Sequence, residues 1–378
     1  MNAAKARTLD HFASPRIAAG VSPAGPSPDC LAGLRSDARY ERLRRRLEAA
    51  GFFAPVTWQP AARAVAFLAV FVAAFGALLR RPAWPTEIGC WLAIGFVLVQ
   101  GCFLAHEAMH GAVSRRPALT RLVGHLFDTV LVGFSFSYFC RSHELHHFHC
   151  NEAAADPDTQ STLFSVFESS AREKRGLGVL MTRWQHVLIP IFFPLWALTM
   201  QWDALTYVAR NPRRTRWDQL ALLLHVGLWF VLPACFVGIG GAVINYLARS
   251  AVAGVYLGVV IPVNHLGRRA HGAEAPGFLE HQLSSTRNLG GSPMMDFLFM
   301  GLNSHIEHHL FPSVPTGRLR RGRPVTRAFC REEGLPYHEQ SFGAAVSDVA
   351  GHLAGVARSL RARQPEREVS EASIRATS

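Results

Sequence analysis

Long apolar runs alternate with polar, histidine-bearing stretches along the chain. Four of the runs approach the ~20 apolar residues that a helix needs to cross the hydrocarbon core of a bilayer. They cover residues 64–79, 88–105, 219–240 and 243–262. The pattern predicts an all-α integral membrane protein with about four transmembrane helices. A fifth run, 186–200, is shorter and contains Pro190 and Pro194, so we expect it to be interrupted and to lie at the membrane interface.

Composition and charge agree with this topology. The chain is 49% hydrophobic and only 17% charged, which argues against a soluble protein. Its net charge of +12 reflects arginines that flank the apolar runs, as in residues 42–46 and 210–216. This distribution follows the positive-inside rule for membrane proteins, and it does not indicate nucleic-acid binding. We therefore expect the start of the chain, residues 106–218 and the segment after 263 to face the cytoplasm.

The hydropathy pattern divides the chain into three parts. These are a polar, basic cytosolic leader over residues 1–60, a membrane domain over 61–356 and a flexible tail over 357–378, with fraying expected up to about residue 37 and after 361. No signal peptide precedes the first span, which we expect to direct insertion itself. The seven cysteines are scattered without CxxC spacing, which is typical of a reducing compartment and argues against a thiolate metal site.

Histidines are concentrated in three short motifs, each beyond an apolar run. They are His106 and His110 in HEAMH, His143, His146 and His147 in HELHH, and His305, His308 and His309 in HIEHH. Residues three or four positions apart share one face of a helix, so each motif directs two or three imidazoles the same way. Imidazole is the commonest protein ligand for first-row metals, and this set exceeds the needs of one tetrahedral ion. The pattern predicts a dinuclear centre between helices that emerge from the membrane on one side.

Other classes of metal protein fit this histidine pattern less well. HEAMH and HELHH match the His-Glu-x-x-His signature of zinc proteases, but such an enzyme needs two histidines, a glutamate base and one further ligand. A zinc receptor or a structural metal-binding membrane protein would have more spans and a three-histidine site. Two nitrogen-ligated irons suit dioxygen chemistry in a water-excluding site, which indicates an alkyl or acyl chain as substrate.

The three motifs and their surroundings resemble the membrane fatty acid desaturase family over residues 38–356. That family has three histidine boxes, H-x(3,4)-H, H-x(2,3)-H-H and [HQ]-x(2,3)-H-H, which stand here as HEAMH, HELHH and HIEHH. Asn151, the Asp156-Pro157-Asp158 stretch and TRNLGGSPMMDFLFMGLNSHIEHHLFPSVP (286–315) are similar to its front-end, linoleoyl-CoA-desaturase-like branch. Box three begins with His305 where that branch usually has Gln, which leaves the position of the double bond open.

The resemblance implies an oxidoreductase of lipid metabolism that uses two iron ions and O2 to remove two hydrogens from an acyl chain. It implies four transmembrane helices under a cytosolic cap, with the eight box histidines as catalytic metal ligands. A ninth ligand is expected near the end of the fourth span, where we choose His265 over His271, with Asn264 beside it. A hydroxylase or a carotenoid- or sphingolipid-modifying enzyme on the same scaffold remains an alternative.

Partners and location follow from the same resemblance. The substrate is expected to be an acyl-lipid or acyl-CoA in the membrane. Since the chain has no His-Pro-Gly-Gly sequence, we expect no fused cytochrome b5 domain, and therefore an external ferredoxin, flavoprotein or cytochrome b5 as electron donor. Composition points to a bacterial inner membrane.

Polar residues beside the boxes are candidates for orienting the ligands, because a carboxylate or amide can accept the free ring N–H of a metal-bound imidazole. Those assigned to the cofactor site are Glu107, Asn151, Asn264 and Glu307, and Glu144, Asp156 and Asp158 are further candidates. His149 lies two residues past a complete box-two face, so we expect it outside the ligand set. The unpaired histidines His125, His186, His225, His281, His338 and His352 are read as structural or solvent-facing.

Overall fold

A computed structural model describes residues 37–54, 58–114, 116–153, 155–269 and 277–362. Two predictions concern residues outside this set: the fraying before residue 37, and the choice of His265 over His271 as the ninth ligand, since His271 is not described. At the other end, the last helix continues to Ala362, six residues past the predicted boundary at 356. Val356 and Ala357 of this helix are buried. The division into leader, membrane domain and tail stays a prediction.

The described chain is helical with almost no sheet, as predicted. The helices of its first half are α1 (Ala38–Ala49), α2 (Trp58–Leu78), α3 (Trp84–Met109), α4 (Pro117–Val132), α5 (Phe136–His149), α6 (Glu168–Glu173) and α7 (Leu177–Arg183). Those of its second half are α8 (Gln185–Arg210), α9 (Arg216–Val226), α10 (Leu232–Val260), α11 (Phe278–Ser285), α12 (Pro293–Leu298), α13 (His305–Leu310), α14 (Thr316–Glu332) and α15 (Phe342–Ala362). Two segments are π-helical: the last eight residues of α4, and Gly227–Val231 after α9. Two 3-10 turns lie at Pro157–Thr159 and Pro262–Asn264. Two-residue strands β1 (Asn288–Leu289) and β2 (Glu339–Gln340) pair in parallel.

Among the described residues, four helical stretches are long and apolar enough to cross a membrane. They are Trp58–Leu78, Trp84–Met109, Gln185–Arg210 and Arg216–Asn264. The first begins before the predicted span 64–79 and covers all of it except its last residue, and the second contains the predicted span 88–105 and extends beyond it at both ends. The fourth contains both predicted spans 219–240 and 243–262 in one continuous stretch.

That fourth stretch folds back on itself. Gly238 has φ 75° and ψ 167°, a conformation that only glycine adopts readily, and it breaks the helical path inside α10. His225 Nε2 and Tyr246 OH are 3.0 Å apart, whereas 21 residues of straight helix would separate them by about 30 Å. The Arg249 guanidinium also lies 4.2 Å from the Trp229 ring centroid. The stretch therefore forms two antiparallel arms, as two successive spans require.

Helix α8 corrects the prediction for residues 186–200. The run is neither short nor interrupted, because the helix continues for 26 residues through Pro190 and Pro194. Gly254 of α10 lets the α8 backbone approach closely at the Phe193 and Pro194 carbonyls, and Gly258 leaves room for the Phe193 ring. At the start of α8, Gln185 Nε2 donates to the Leu353 carbonyl of α15, and near its end the Tyr207 ring packs against Tyr138 of α5. Its interfacial location stays a prediction.

The close approach between α8 and α10 can be tested by adding a side chain. A Cβ on Gly254 would overlap the Phe193 carbonyl oxygen and lie 3.0 Å from that of Pro194, whereas a Cβ on Gly240 meets nothing within 4 Å. We expect Gly254→Val to lower the free energy of unfolding by about 1–3 kcal/mol more than Gly240→Val, as overpacking does. Thermal unfolding of the two purified variants in detergent measures this, and equal melting temperatures would contradict the packing.

Candidate metal centre

Box one lies at the C-terminal end of α3, the second long helix. His106 and His110 lie one turn apart at the end of α3, with ring centroids 4.8 Å apart. Helix α3 ends at Met109, and the backbone N–H of His110 donates to the carbonyl of His106. Because the side chains share one face, both imidazoles point into the space that the other boxes also face.

Box two lies on α5, which makes an angle of 107° with α4. Ser135 caps α5: its hydroxyl accepts from the backbone N–H of Tyr138 and donates to Asp218 Oδ1 at 2.7 Å. Asp218 also accepts from the backbone N–H of Ser137 at 3.1 Å. Asp218 is buried in the first turn of α9. The beginning of α9 therefore fixes the beginning of α5, the helix that carries box two.

Box three occupies α13, whose six residues are all buried. Asn288 of β1 accepts from the backbone N–H of Ile306 at 2.9 Å and donates to Glu307 Oε2 at 2.8 Å. Arg323 of α14 donates from Nε to Ser304 Oγ at 2.8 Å. Contacts from β1 and α14 thus orient a helix that is too short to hold itself.

The structure brings all nine predicted histidines together in two adjoining groups. The first histidine group is His106, His110, His143, His147 and His308, whose nearest ring nitrogens lie within 4.8 Å of one another. The second histidine group is His146, His265, His305 and His309, drawn together by His265. His265 Nε2 is 2.7 Å from His305 Nε2 and 3.3 Å from His146 Nε2. The groups meet where the rings of His147 and His309 stack at 4.3 Å.

Nitrogen spacing within the groups suits metal coordination. His143 Nε2 is 2.9 Å from His106 Nε2 and 3.1 Å from His147 Nε2. Two imidazole nitrogens that bind one first-row ion at ~2.1 Å and at right angles lie ~3.0 Å apart. Ring nitrogens that make no hydrogen bond in the described residues are His106 Nδ1, His110 Nε2, His147 Nδ1, His309 Nε2 and both of His308. Buried nitrogens without partners are costly. An imidazole binds a metal ion through one nitrogen, so ions here would satisfy His110 Nε2, His309 Nε2 and one nitrogen of His308.

Electrostatics favour the same interpretation. Burial lowers the pKa of His308 and His309 well below the usual histidine value, and neighbouring histidines lower it further. Burial also lowers the pKa of His110 to about 3. These imidazoles are therefore neutral at physiological pH, which is the form that offers a lone pair to a metal.

Cys150 is the one sulfur beside the groups in the described part of the chain. Its Sγ lies 3.2 Å from His265 Nδ1, and burial raises the pKa of the thiol well above its usual value. The sulfur therefore stays a thiol against the side of the imidazole that faces away from the other ligands. Cys150 Sγ lies within 4.8 Å of the ring nitrogens that His146, His265 and His309 offer, and the expectation that no thiolate site exists stays a prediction.

The polar residues beside the boxes divide into those that touch a ligand ring and those that do not. Asp156 does so as expected, with Oδ1 3.0 Å from His146 Nδ1. Glu107 does not: its Oε1 accepts from the backbone N–H of Thr316 at 3.0 Å, and Oε2 lies 3.6 Å from Arg63. Glu107 thus points from α3 towards the N-terminal end of α14, and its predicted role in orienting an imidazole stays a prediction.

Glu307 and Asn151 also hold other groups instead of ligand rings. Glu307 accepts from Tyr337 OH at 3.0 Å as well as from Asn288. Asn151 adopts φ 59° and donates to the carbonyls of His265 and Ser285, each at 3.1 Å, so it fixes the backbone that carries His265. Asn264 is buried, and its Oδ1 accepts no hydrogen bond from the described residues. Whether any of these residues touches a cofactor stays a prediction.

Sequence inspection missed one residue that contacts two boxes. Gln282 of α11 lies 2.9 Å from His309 Nδ1 and donates to the His147 carbonyl. Gln282 stands in no histidine motif. The one sequence feature that could have pointed to it is its position just before the 286–315 segment, which resembles the family. His149 pairs with Glu152 at 3.0 Å and joins neither group, and His281 donates to the Cys150 carbonyl as a structural residue.

Comparison with known proteins identifies the family. The family described as fatty acid desaturase matches residues 82–341. The chain is 27% identical over 301 residues to the acyl-lipid (9-3)-desaturase of Physcomitrium patens, covering 76% of this chain and 57% of the relative. It is 25% identical over 359 residues to the Delta 8-(E)-sphingolipid desaturase of Emericella nidulans, covering 89% and 65%. It is 25% identical over 321 residues to a Delta(6)-fatty-acid desaturase of Caenorhabditis elegans, covering 79% and 70%.

The chain therefore belongs to the fatty acid desaturase family, as its histidine boxes predicted. It spans less than two thirds of the length of the first two of these relatives. Their names agree with the predicted likeness to the front-end branch.

Metal content tests the two histidine groups directly. We expect the full chain, purified from cells grown with iron, to carry about two iron ions, and His147→Ala to carry fewer because it removes a nitrogen from the boundary of both groups. His149→Ala is the matched control, since it changes a histidine two positions away that belongs to neither group. Inductively coupled plasma mass spectrometry gives the ratios. Equal iron in both variants would contradict the assignment.

Proposed function

We propose that the protein is a membrane fatty acid desaturase, an oxidoreductase that introduces a double bond into an acyl chain with O2 and two histidine-bound iron ions. The observation that carries the proposal is the pair of adjoining imidazole groups, several of whose buried ring nitrogens have no hydrogen-bond partner in the described residues. Iron bound there would supply the redox chemistry that activates O2 towards an unactivated methylene. The first histidine group would hold one ion, and the second histidine group the other.

The stoichiometry of desaturation requires a redox partner. Removing two hydrogens from a –CH2–CH2– unit yields two electrons and two protons, whereas reducing O2 to two waters consumes four of each. Two electrons and two protons must come from elsewhere, and we propose a ferredoxin, a flavoprotein or cytochrome b5 as the electron source. Nucleic acid has no role in this reaction.

The protein's own residues would bind the chain, exclude water and keep the ligands in place. The Phe139 ring centroid lies 5.2 Å from that of His143 and 6.1 Å from that of His106, so it forms an apolar wall beside the first histidine group. The acyl chain of an acyl-lipid or acyl-CoA would pass this wall from the membrane side, one helical turn before the ligands. Asp156 would hold His146 by its Nδ1 and leave Nε2 for the ion.

The position of Glu107 argues against a metalloprotease. A general base must reach a water on the metal, but Glu107 is engaged by Thr316 and Arg63 on the far side of α3. A receptor or storage site with three histidines leaves six of the nine unexplained. The alternative that shares this geometry is a fatty acid or lipid hydroxylase, which differs in how the carbon radical is quenched.

The apolar helices support a multi-pass membrane protein. We propose that the boxes and the helices around them face the cytoplasm, because arginines cluster on α1, on α14 and in the 210–216 turn at that end of the spans. A bacterial inner membrane is the location that the composition indicates.

The fatty-acid profile of a host that expresses the chain tests this function. We expect a new unsaturated acid, with its double bond located by mass spectrometry, in cells with the unchanged chain and with His149→Ala. His146→Ala should abolish it, because this change removes the nitrogen that Asp156 orients in the second histidine group. A hydroxy acid in place of the alkene would assign the hydroxylase alternative. An unchanged profile, with an electron donor co-expressed and both acyl-lipids and acyl-CoA examined, would overturn the proposal.

A further inference from the structure

Gln282 bridges box two and box three. The side chain is fully buried on α11. Its Nε2 lies 2.9 Å from the carbonyl oxygen of His147, the last histidine of box two. Its Oε1 lies 2.9 Å from Nδ1 of His309, the last histidine of box three. One amide therefore contacts the two imidazole-bearing residues whose rings stack between the groups.

The orientation of this amide follows from chemistry. A backbone carbonyl can only accept, so the NH2 end of Gln282 must face His147, and the oxygen must face His309. An amide oxygen can only accept as well, so Nδ1 of His309 carries the proton. The lone pair of a neutral His309 then resides on Nε2, which is buried and has no hydrogen-bond partner in the described residues. Gln282 thus selects the tautomer that offers Nε2 to a metal.

Helix α11 is well placed for this task. Leu279 and Leu283 on the same helix are fully buried, and the preceding residue, His281, donates from Nε2 to the Cys150 carbonyl at 2.8 Å. Two successive side chains of α11 therefore hold the C-terminal end of α5, where box two ends. The contact between Gln282 and His309 is then made from a fixed support.

We propose that Gln282 is a positioning residue for the second histidine group: it fixes the tautomer and ring orientation of His309 and couples them to the end of the box-two helix. This proposal rests on the proposed metal centre and deepens it. It predicts that one ion depends on Gln282 more than the other does, because the ring of His309 belongs to the second histidine group alone.

The test compares iron binding by the purified full-length protein and its variants. Gln282→Leu removes both hydrogen bonds, and we expect it to retain about one iron per chain instead of two, with an altered Mössbauer spectrum. Gln282→Glu keeps an oxygen acceptor for His309 Nδ1, and we expect it to restore most of the second iron. The matched control is Gln185→Leu, which removes an equally buried glutamine that donates to Leu353 and accepts from the Ser165 N–H, away from the boxes.

The outcomes separate positioning from loss of structure. If Gln282→Leu and Gln185→Leu melt at similar temperatures but only the former loses iron, the positioning role stands. If Gln282→Leu keeps two irons with an unchanged spectrum, or Gln282→Glu loses as much iron as Gln282→Leu, the proposal is overturned. A wild-type chain that binds zinc and no iron would overturn the proposed function, and the same comparison of variants with zinc alone would still decide the role of Gln282.

Discussion

The need to satisfy nine closely packed imidazoles inside one enclosed space governs the structure around the histidine boxes. Burial removes the water that would otherwise bind their nitrogens, and the rings are too close together to be protonated at once. On one side of each ring, Nδ1 of His146, His309 and His305 donates to Asp156, to Gln282 Oε1 and to the Leu302 carbonyl, respectively. The opposite ring nitrogens face one another, so cations at the centre are the natural partners.

The helices that carry box two and box three, and α14 beside them, are held to the apolar helices by charged residues near the starts of α2 and α9. Arg63, near the start of α2, donates to Thr316 Oγ1 at 3.0 Å, beside the backbone N–H that Glu107 accepts. Asp218, in the first turn of α9, holds Ser135 and Ser137 at the start of α5. The first contacts join box one to α14, which packs against box three. The second contacts join box two to α9, the first arm of the Arg216–Asn264 stretch. The positions of the ligands therefore depend on how the apolar helices pack.

Local sequence patterns predicted the features that depend on neighbouring residues. Helical spacing within HEAMH, HELHH and HIEHH is enough to direct imidazoles to one side, and 16 to 22 apolar residues are enough to indicate a span. Features that depend on distant residues could not be predicted this way. The partner of Glu107 is Thr316, and Gln282 joins residues 147 and 309; no spacing rule relates these positions. The packing of α8 against Gly254 and Gly258 likewise joins residues some 60 positions apart in the chain.

The central claim is that two groups of imidazoles hold two iron ions side by side. The most direct measurement is an experimental structure of the purified protein with anomalous diffraction recorded on both sides of the iron absorption edge. The account predicts two iron peaks, one among His106, His110, His143, His147 and His308 and one among His146, His265, His305 and His309. A single peak, a zinc signal, or iron outside both groups would contradict it.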